Sequence, residues 1–214
     1  MPWFYYVGTT LMRFLLVLLT RWRVKGKENI PAHVPLIVVA NHLSLIDPPL
    51  LSASIRRRIV FMAKEEAFRH PVEGPLARGW RAFPVRRERL DREALRQAQQ
   101  VLEEGLALGM FPEGKRSPAA QMQQGYPGTS LLALRNVAPI LPVGITGTEK
   151  INGITFIFRR PKITVNIGEP FNLPPIDGRL TRTQLAQATD FIMGRIAQLL
   201  PESYRGYYGD RKGC

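Results

Sequence analysis

Short apolar runs rich in β-branched residues recur along the chain at PLIVVA (35–40), RIVFMA (58–63), LALGMF (106–111), APILPVGIT (138–146) and KITVNI (162–167), and the stretches between them carry helical spacing. The clearest is LDREALRQAQQVLEEG (90–105), with Leu95, Ala98, Val101 and Leu102 on one face and Gly105 placed to stop it. GTSLLALRN (128–136) is shorter, PPLLSASI starts after Asp47, and TRTQLAQATDFIMGRIAQLL (181–200) closes the pattern behind a Thr181-to-Gln184 capping box. Strands alternating with helices predict an α/β fold with a mixed, mostly parallel sheet flanked by helices. Sites in such sheets lie outside the carboxyl ends of strands, which picks out ANHLSLID, FPEGKRS and the GIT that ends the fourth run.

With 214 residues the chain can build one sizeable core plus appendages. The expected division is a helical segment over 1–24, an α/β domain over 25–200 and a tail over 201–214. An apolar fraction of 45% and a charged fraction of 22% argue against general disorder. The single cysteine, Cys214, excludes a disulfide framework or a cysteine zinc site within one chain. His33, His42 and His70 have no metal-ligand spacing, so no metal is expected.

Charge restricts the partners. Thirty Lys and Arg against 17 Asp and Glu give +13, which suits an anionic membrane surface, a phosphorylated substrate, an acidic carrier protein or nucleic acid. Aromatic residues interleaved with basic ones, as single-strand binders need, are missing from the centre of the domain, so nucleic acid is not expected. YRGYYGDRKG near the end is the one stretch of that composition, and it equally suits a membrane-touching or disordered tail.

From Trp3 to Leu19 the chain is almost wholly apolar, with Arg13 near its middle. That run is marginal for a spanning helix, and the arginine counts against one. A helix lying in the membrane interface fits better: Tyr6, Thr9, Arg13 and Thr20 form one polar stripe, with aromatic residues at one end and RWRVKGK at the other. A basic n-region and a small-residue cleavage site, which would mark a signal peptide, are both missing. The expected location is the cell membrane, peripheral or monotopic.

His42 and Asp47 admit two readings. Asp47 before Pro48 is a good N-cap, and a lone histidine beside a core strand is commonly structural. Alternatively, the LSLI turn folds Asp47 back onto the imidazole, fixing its tautomer and leaving the other ring nitrogen to take a proton from a hydroxyl. No GxSxG nucleophile elbow accompanies the pair, so the chemistry implied is direct attack by a substrate hydroxyl on an acyl group.

NHLSLID resembles the NHxSxxD block of the glycerolipid acyltransferases, the bacterial 1-acyl-glycerol-3-phosphate acyltransferases in particular. RAFPVRR resembles their second block (GxFPVDR), FPEGKRS their third (FPEGTRS) and LPVGI their fourth (VPVGI), in the family's order, between about 26 and 170. The resemblance implies transfer of a fatty acyl group from a thioester to the free hydroxyl of lysophosphatidic acid, with His42 as general base and Asp47 as its orienting partner. It implies phosphate binding by Arg87 and Arg116, helped by Glu113 and Gly114, with Lys115, Ser117 and Arg86 as further candidates. Pro142, Val143 and Gly144 would shape the pocket wall.

Two positions depart from the family. Lys115 stands where threonine is common and Arg86 where an acidic residue is frequent; both add positive charge beside the phosphate site. The resemblance implies no cofactor, acyl-CoA or acyl carrier protein as co-substrate, membrane lipids as partners, and access from the cytoplasmic face. The competing readings are an enzyme of the same family with another lysolipid acceptor and a non-catalytic basic protein that binds anionic membranes.

Overall fold

The structure is a computed structural model that describes all residues except 1, 72, 87–90, 152, 154, 177, 179 and 210–214. Its strands are β1 (Arg21–Lys25), β2 (Leu36–Ala40), β3 (Ile59–Lys64), β4 (Phe83–Val85), β5 (Ala107–Met110), β6 (Ile140–Thr146) and β7 (Lys162–Ile167). They form one seven-stranded sheet in the order β1-β7-β6-β2-β5-β3-β4. Every neighbouring pair is parallel except β6 with β7, so the sheet is mixed and mostly parallel as expected.

Eight α-helices accompany it among the described residues: α1 (Pro2–Leu19), α2 (Asp47–Ser54), α3 (Glu73–Gly79), α4 (Arg92–Glu103), α5 (Gly128–Asn136), α6 (Phe156–Arg159), α7 (Arg182–Gln198) and α8 (Glu202–Arg205). The pleat sends alternate residues of β2 to opposite faces. Ile37 and Val39 join a core with residues of α4, α5 and α7, whereas Leu36, Val38 and Ala40 join a second core with Leu16 of α1 and Leu50, Leu51 and Ala53 of α2. A central parallel strand covered on both sides has no solvent position, which is why LIVVA reads as a continuous apolar run. The capping box of α7 forms as read: the Gln184 N–H donates to Thr181 Oγ1 at 3.2 Å, and the Thr181 N–H donates to Gln184 Oε1 at 3.0 Å.

Two strands carry no sequence signal strong enough to be read. Arg21–Lys25, read as the basic flank of the N-terminal helix, is an edge strand that buries Trp22 and Val24 partly and leaves Arg21, Arg23 and Lys25 exposed. Its partner β7 lies about 140 residues away, a distance no local pattern reports. β4 is only three residues long, within RAFPVRR.

Helix α1 buries Leu16 together with part of its polar stripe, whereas Tyr6 of that stripe is exposed. Thr9 and Thr20 are buried, and Arg13 Nε donates to the carbonyl of Ala53 at 2.7 Å, placing a cation at the C-terminal end of α2 where the helix dipole favours it. Tyr5 is also buried, its hydroxyl accepting the Ile59 N–H at 3.1 Å. Trp3, Val7, Leu11, Phe14, Val17 and Leu18 instead face outward, each more than half exposed. No helix among the described residues is long and apolar enough to cross a membrane.

The segment after 200 packs onto the domain as far as it is described. Tyr208 is buried in the core beside α7, and its hydroxyl accepts the Gly125 N–H at 3.1 Å.

Candidate active site

Strands β2 and β5 lie side by side, yet the helices that follow them take opposite faces: α2 packs in the core with α1, α5 in the core with α4 and α7. The loops after such strands diverge and leave a crevice at their carboxyl ends. His42 sits there, two residues beyond β2, facing the 111–117 loop beyond β5.

Asp47 is fully buried. Its Oδ2 lies 2.9 Å from His42 Nδ1 and also accepts the N–H groups of Leu43 and Ser44, each at 2.7 Å. The turn closes when the Asp47 N–H donates to the Ser44 carbonyl at 3.1 Å. The N-cap role is overturned: Ile46 is the N-cap, Asp47 is the first helical residue, and its side chain makes no capping bond. Pro48 and Pro49 explain this, because a helix start with two prolines has fewer orphan N–H groups to satisfy and leaves the carboxylate free to turn back.

A carboxylate on Nδ1 selects the tautomer with the proton on that nitrogen and leaves Nε2 basic. Nε2 has no hydrogen-bond partner among the described residues, and the His42 side chain is 17% exposed, so a hydroxyl can reach it. The ring is stacked on Phe111 with centroids 4.1 Å apart and planes at 21°, and Phe111 in turn stacks on Phe61. Gly109 makes room for this column: a Cβ there would meet the Phe61 ring at 2.4 Å. The aromatic column escaped the sequence reading, and the glycine within LALGMF was its only trace.

Glu113 is fully buried, and both its oxygens are used. Oε1 accepts the His42 N–H at 3.0 Å and Oε2 the Gln123 N–H at 2.8 Å. Burial pushes its carboxyl up to about 7, against these two donors that favour ionisation, and the Asp47 charge pushes the same way as burial. Glu113 is thus a brace between loops, and among the described residues it forms no ion pair with Arg116. The Ser117 N–H adds a second tie by donating to the His42 carbonyl at 2.8 Å. Asn41 adds a third, exchanging hydrogen bonds of 2.9 and 2.7 Å with the backbone of Ile145 on β6.

The remaining candidates are spread around this centre. Arg116 is exposed, and its guanidinium donates to Glu73 Oε1 at 3.0 Å; Arg86 Nε donates to Glu65 Oε2 at 2.6 Å. Arg87 lies outside the described residues. Gly114 adopts φ 69°, a left-handed conformation that a side chain resists, and its N–H closes the turn onto Phe111 O at 2.9 Å. Lys115 is exposed. Ser117 is buried, and its Oγ accepts the Gln121 N–H at 3.2 Å.

Pro142, Val143 and Gly144 lie within the sheet rather than in the crevice. Val143 is fully buried in the core shared with α1 and α2, and a Cβ on Gly144 would meet Leu199 at 3.0 Å. Glycine there admits the end of α7 to the sheet. No group of three or more His, Cys, Asp or Glu that could hold a metal ion occurs among the described residues.

The site is thus a carboxylate-oriented imidazole with one nitrogen open, at the switch point of a mostly parallel sheet. Comparison with known proteins places it in a family. The Acyltransferase family model matches residues 21–146, more than half of the chain, which therefore belongs to that family. The 1-acyl-sn-glycerol-3-phosphate acyltransferase of Bacillus subtilis is 28% identical over 83% of this chain and 87% of its own length. The protein of that name from Streptococcus pneumoniae is 27% identical over 95% of this chain and 76% of its own. Among solved structures, the 1-acyl-sn-glycerophosphate acyltransferase PlsC of Thermotoga maritima superposes with a TM-score of 0.67 at 28% identity, covering 88% of this chain and 76% of that one.

Proposed function

We propose that this acyltransferase moves a fatty acyl group from an acyl thioester to the free hydroxyl of 1-acyl-glycerol-3-phosphate, giving phosphatidic acid. The observation that carries the reading is the His42–Asp47 pair with Nε2 left open. The acceptor hydroxyl gives its proton to Nε2 as its oxygen attacks the thioester carbonyl. Collapse of the tetrahedral intermediate breaks the carbon–sulfur bond, and the departing thiolate takes the proton back from Nε2. Protons and electrons balance without a cofactor, and Asp47 stabilises the transient imidazolium.

Arg116 and its chain neighbour Lys115 are the proposed anchor for the acceptor phosphate, to which the family resemblance adds Arg87. Guanidinium forks suit phosphate oxygens, and an exposed pairing with Glu73 costs little to exchange for a dianion. The names of the Bacillus and Streptococcus relatives support this acceptor. Acyl-CoA and acyl carrier protein are the donor candidates, both cytoplasmic, and the outward apolar face of α1 supports peripheral attachment at that surface.

Another lysolipid acceptor requires the same His42 chemistry and differs only at the phosphate anchor. A non-catalytic basic membrane binder leaves the buried, triply accepting Asp47 oxygen without a purpose. Thiol release from acyl-CoA or acyl carrier protein, measured across a panel of lysolipids, separates the three: lysophosphatidic acid is expected to be the preferred acceptor, and release with none would refute the proposal.

A further inference from the structure

On the sheet face opposite α1, helix α7 packs against β6 and β2, while the edge formed by β7 and β1 stays partly open, with Thr164 and Asn166 half-buried and Asn166 Nδ2 donating to the Leu199 carbonyl at 3.0 Å. The pleat fixes what is shown there. Trp22, Val24, Ile163 and Val165 turn into the core with α1 and α2, so Arg21, Arg23 and Lys25 of β1 and Lys162 of β7 stand exposed on the opposite face. A groove of about 480 Å³ runs between them and the end of α7, lined by Lys25, Lys150, Lys162, Thr146, Thr164 and Asn166 among others. None of these five cations forms an ion pair among the described residues. The carboxylate of Glu149 is turned to the Tyr204 hydroxyl at 2.7 Å and the Gly147 N–H at 2.9 Å.

We infer that this groove docks an acidic helix of the protein that carries the acyl donor. Alternate residues of β1 are about 7 Å apart, close to the roughly 6 Å between residues four apart on a helix, so a row of carboxylates can meet a row of cations. The partner approaches from water, because the groove lies across the sheet from α1, whose outer face is apolar. Unpaired cations on an open face also steer an acidic partner before contact. The inference rests on the acyl-thioester reading and adds the carrier's docking place.

The test uses the full chain, a bacterial acyl carrier protein charged with hexadecanoate, and the double variant Lys25→Glu/Lys162→Glu, with Lys25→Ala/Lys162→Ala as the milder pair. Binding is read directly at 50 and 200 mM NaCl, and transfer is read with carrier-bound donor and with hexadecanoyl-CoA. The double reversal is expected to weaken carrier binding at least tenfold and raise the KM for carrier-bound donor alike, with kcat and the KM for hexadecanoyl-CoA unchanged. The alanine pair falls between. Absence of carrier binding by the native chain, unchanged binding by both variants, or an equal rise in KM for both donors would overturn it. Groove-dependent binding without transfer from either donor would uphold the docking place and refute the acyl-transfer reading instead.

Discussion

The backbone N–H of His42 donates to Glu113 Oε1 at 3.0 Å, so the strand end that carries the imidazole is fastened to the loop beyond β5 by a buried carboxylate. With Gln123 held by the other oxygen, Glu113 joins three segments at one point. A carboxyl so buried keeps its proton to about pH 7.

That gives a pH signature. A carboxyl whose folded pKa is raised from 4.5 to about 7 contributes stability that is full below 4.5 and is lost as pH rises through 7. The span is on the order of 3 kcal/mol. Glu113→Gln should flatten the fall in unfolding free energy between pH 5 and 7.5, measured by urea denaturation; parallel curves for the two proteins would contradict the brace.

Asp47→Asn replaces an oxygen that accepts three bonds with a group able to donate, and the amide no longer stabilises an imidazolium. kcat should fall on the order of 10³-fold with the acceptor KM nearly unchanged. A fall of less than tenfold would show that His42 does not depend on Asp47.

Arg116→Ala removes a part-exposed ion pair with Glu73, so unfolding free energy should change by no more than about 0.5 kcal/mol. The acceptor KM should rise at least tenfold while the donor KM holds. An unchanged acceptor KM would remove Arg116 from the phosphate site.

Phe14→Ser with Leu18→Ser alters only the outward face of α1. Sedimentation with anionic vesicles should drop several-fold while the melting temperature stays within a few degrees. Vesicle binding equal to the native protein's would contradict an interfacial role for this helix.

What could be read before the structure was what is local in sequence. His42 and Asp47 are five residues apart, so a turn and a strand end suffice to place them. The same locality gave α4, α7 and the central strands, whose apolar runs need no distant partner to be recognised. Glu113 reads as a helper of the phosphate site, and its tie to His42 is invisible until β5 is known to lie against β2, which brings residues 71 positions apart into contact. β1 was hidden likewise: RWRVK is basic in composition, and only its pairing with β7 turns the alternation of Trp22 and Val24 into a buried face. The polar stripe of α1 was visible, but the direction it faces depends on Ala53, whose carbonyl Arg13 caps from 40 residues away. In β6 the sequence LPVGI suggested a pocket wall; Gly144 there packs closely against Leu199 and also lines the groove at the end of α7.

Proton transfer in the proposed reaction runs through the free nitrogen of His42. The measurement that tests it most directly is thiol release from hexadecanoyl-CoA and from hexadecanoyl-carrier protein on addition of lysophosphatidic acid, with His42→Ala beside the native chain. The account predicts acceptor-dependent release by the native protein, at least 10³-fold slower in the variant, with the two melting within a few degrees of each other. Equal rates for a folded His42→Ala protein would contradict it.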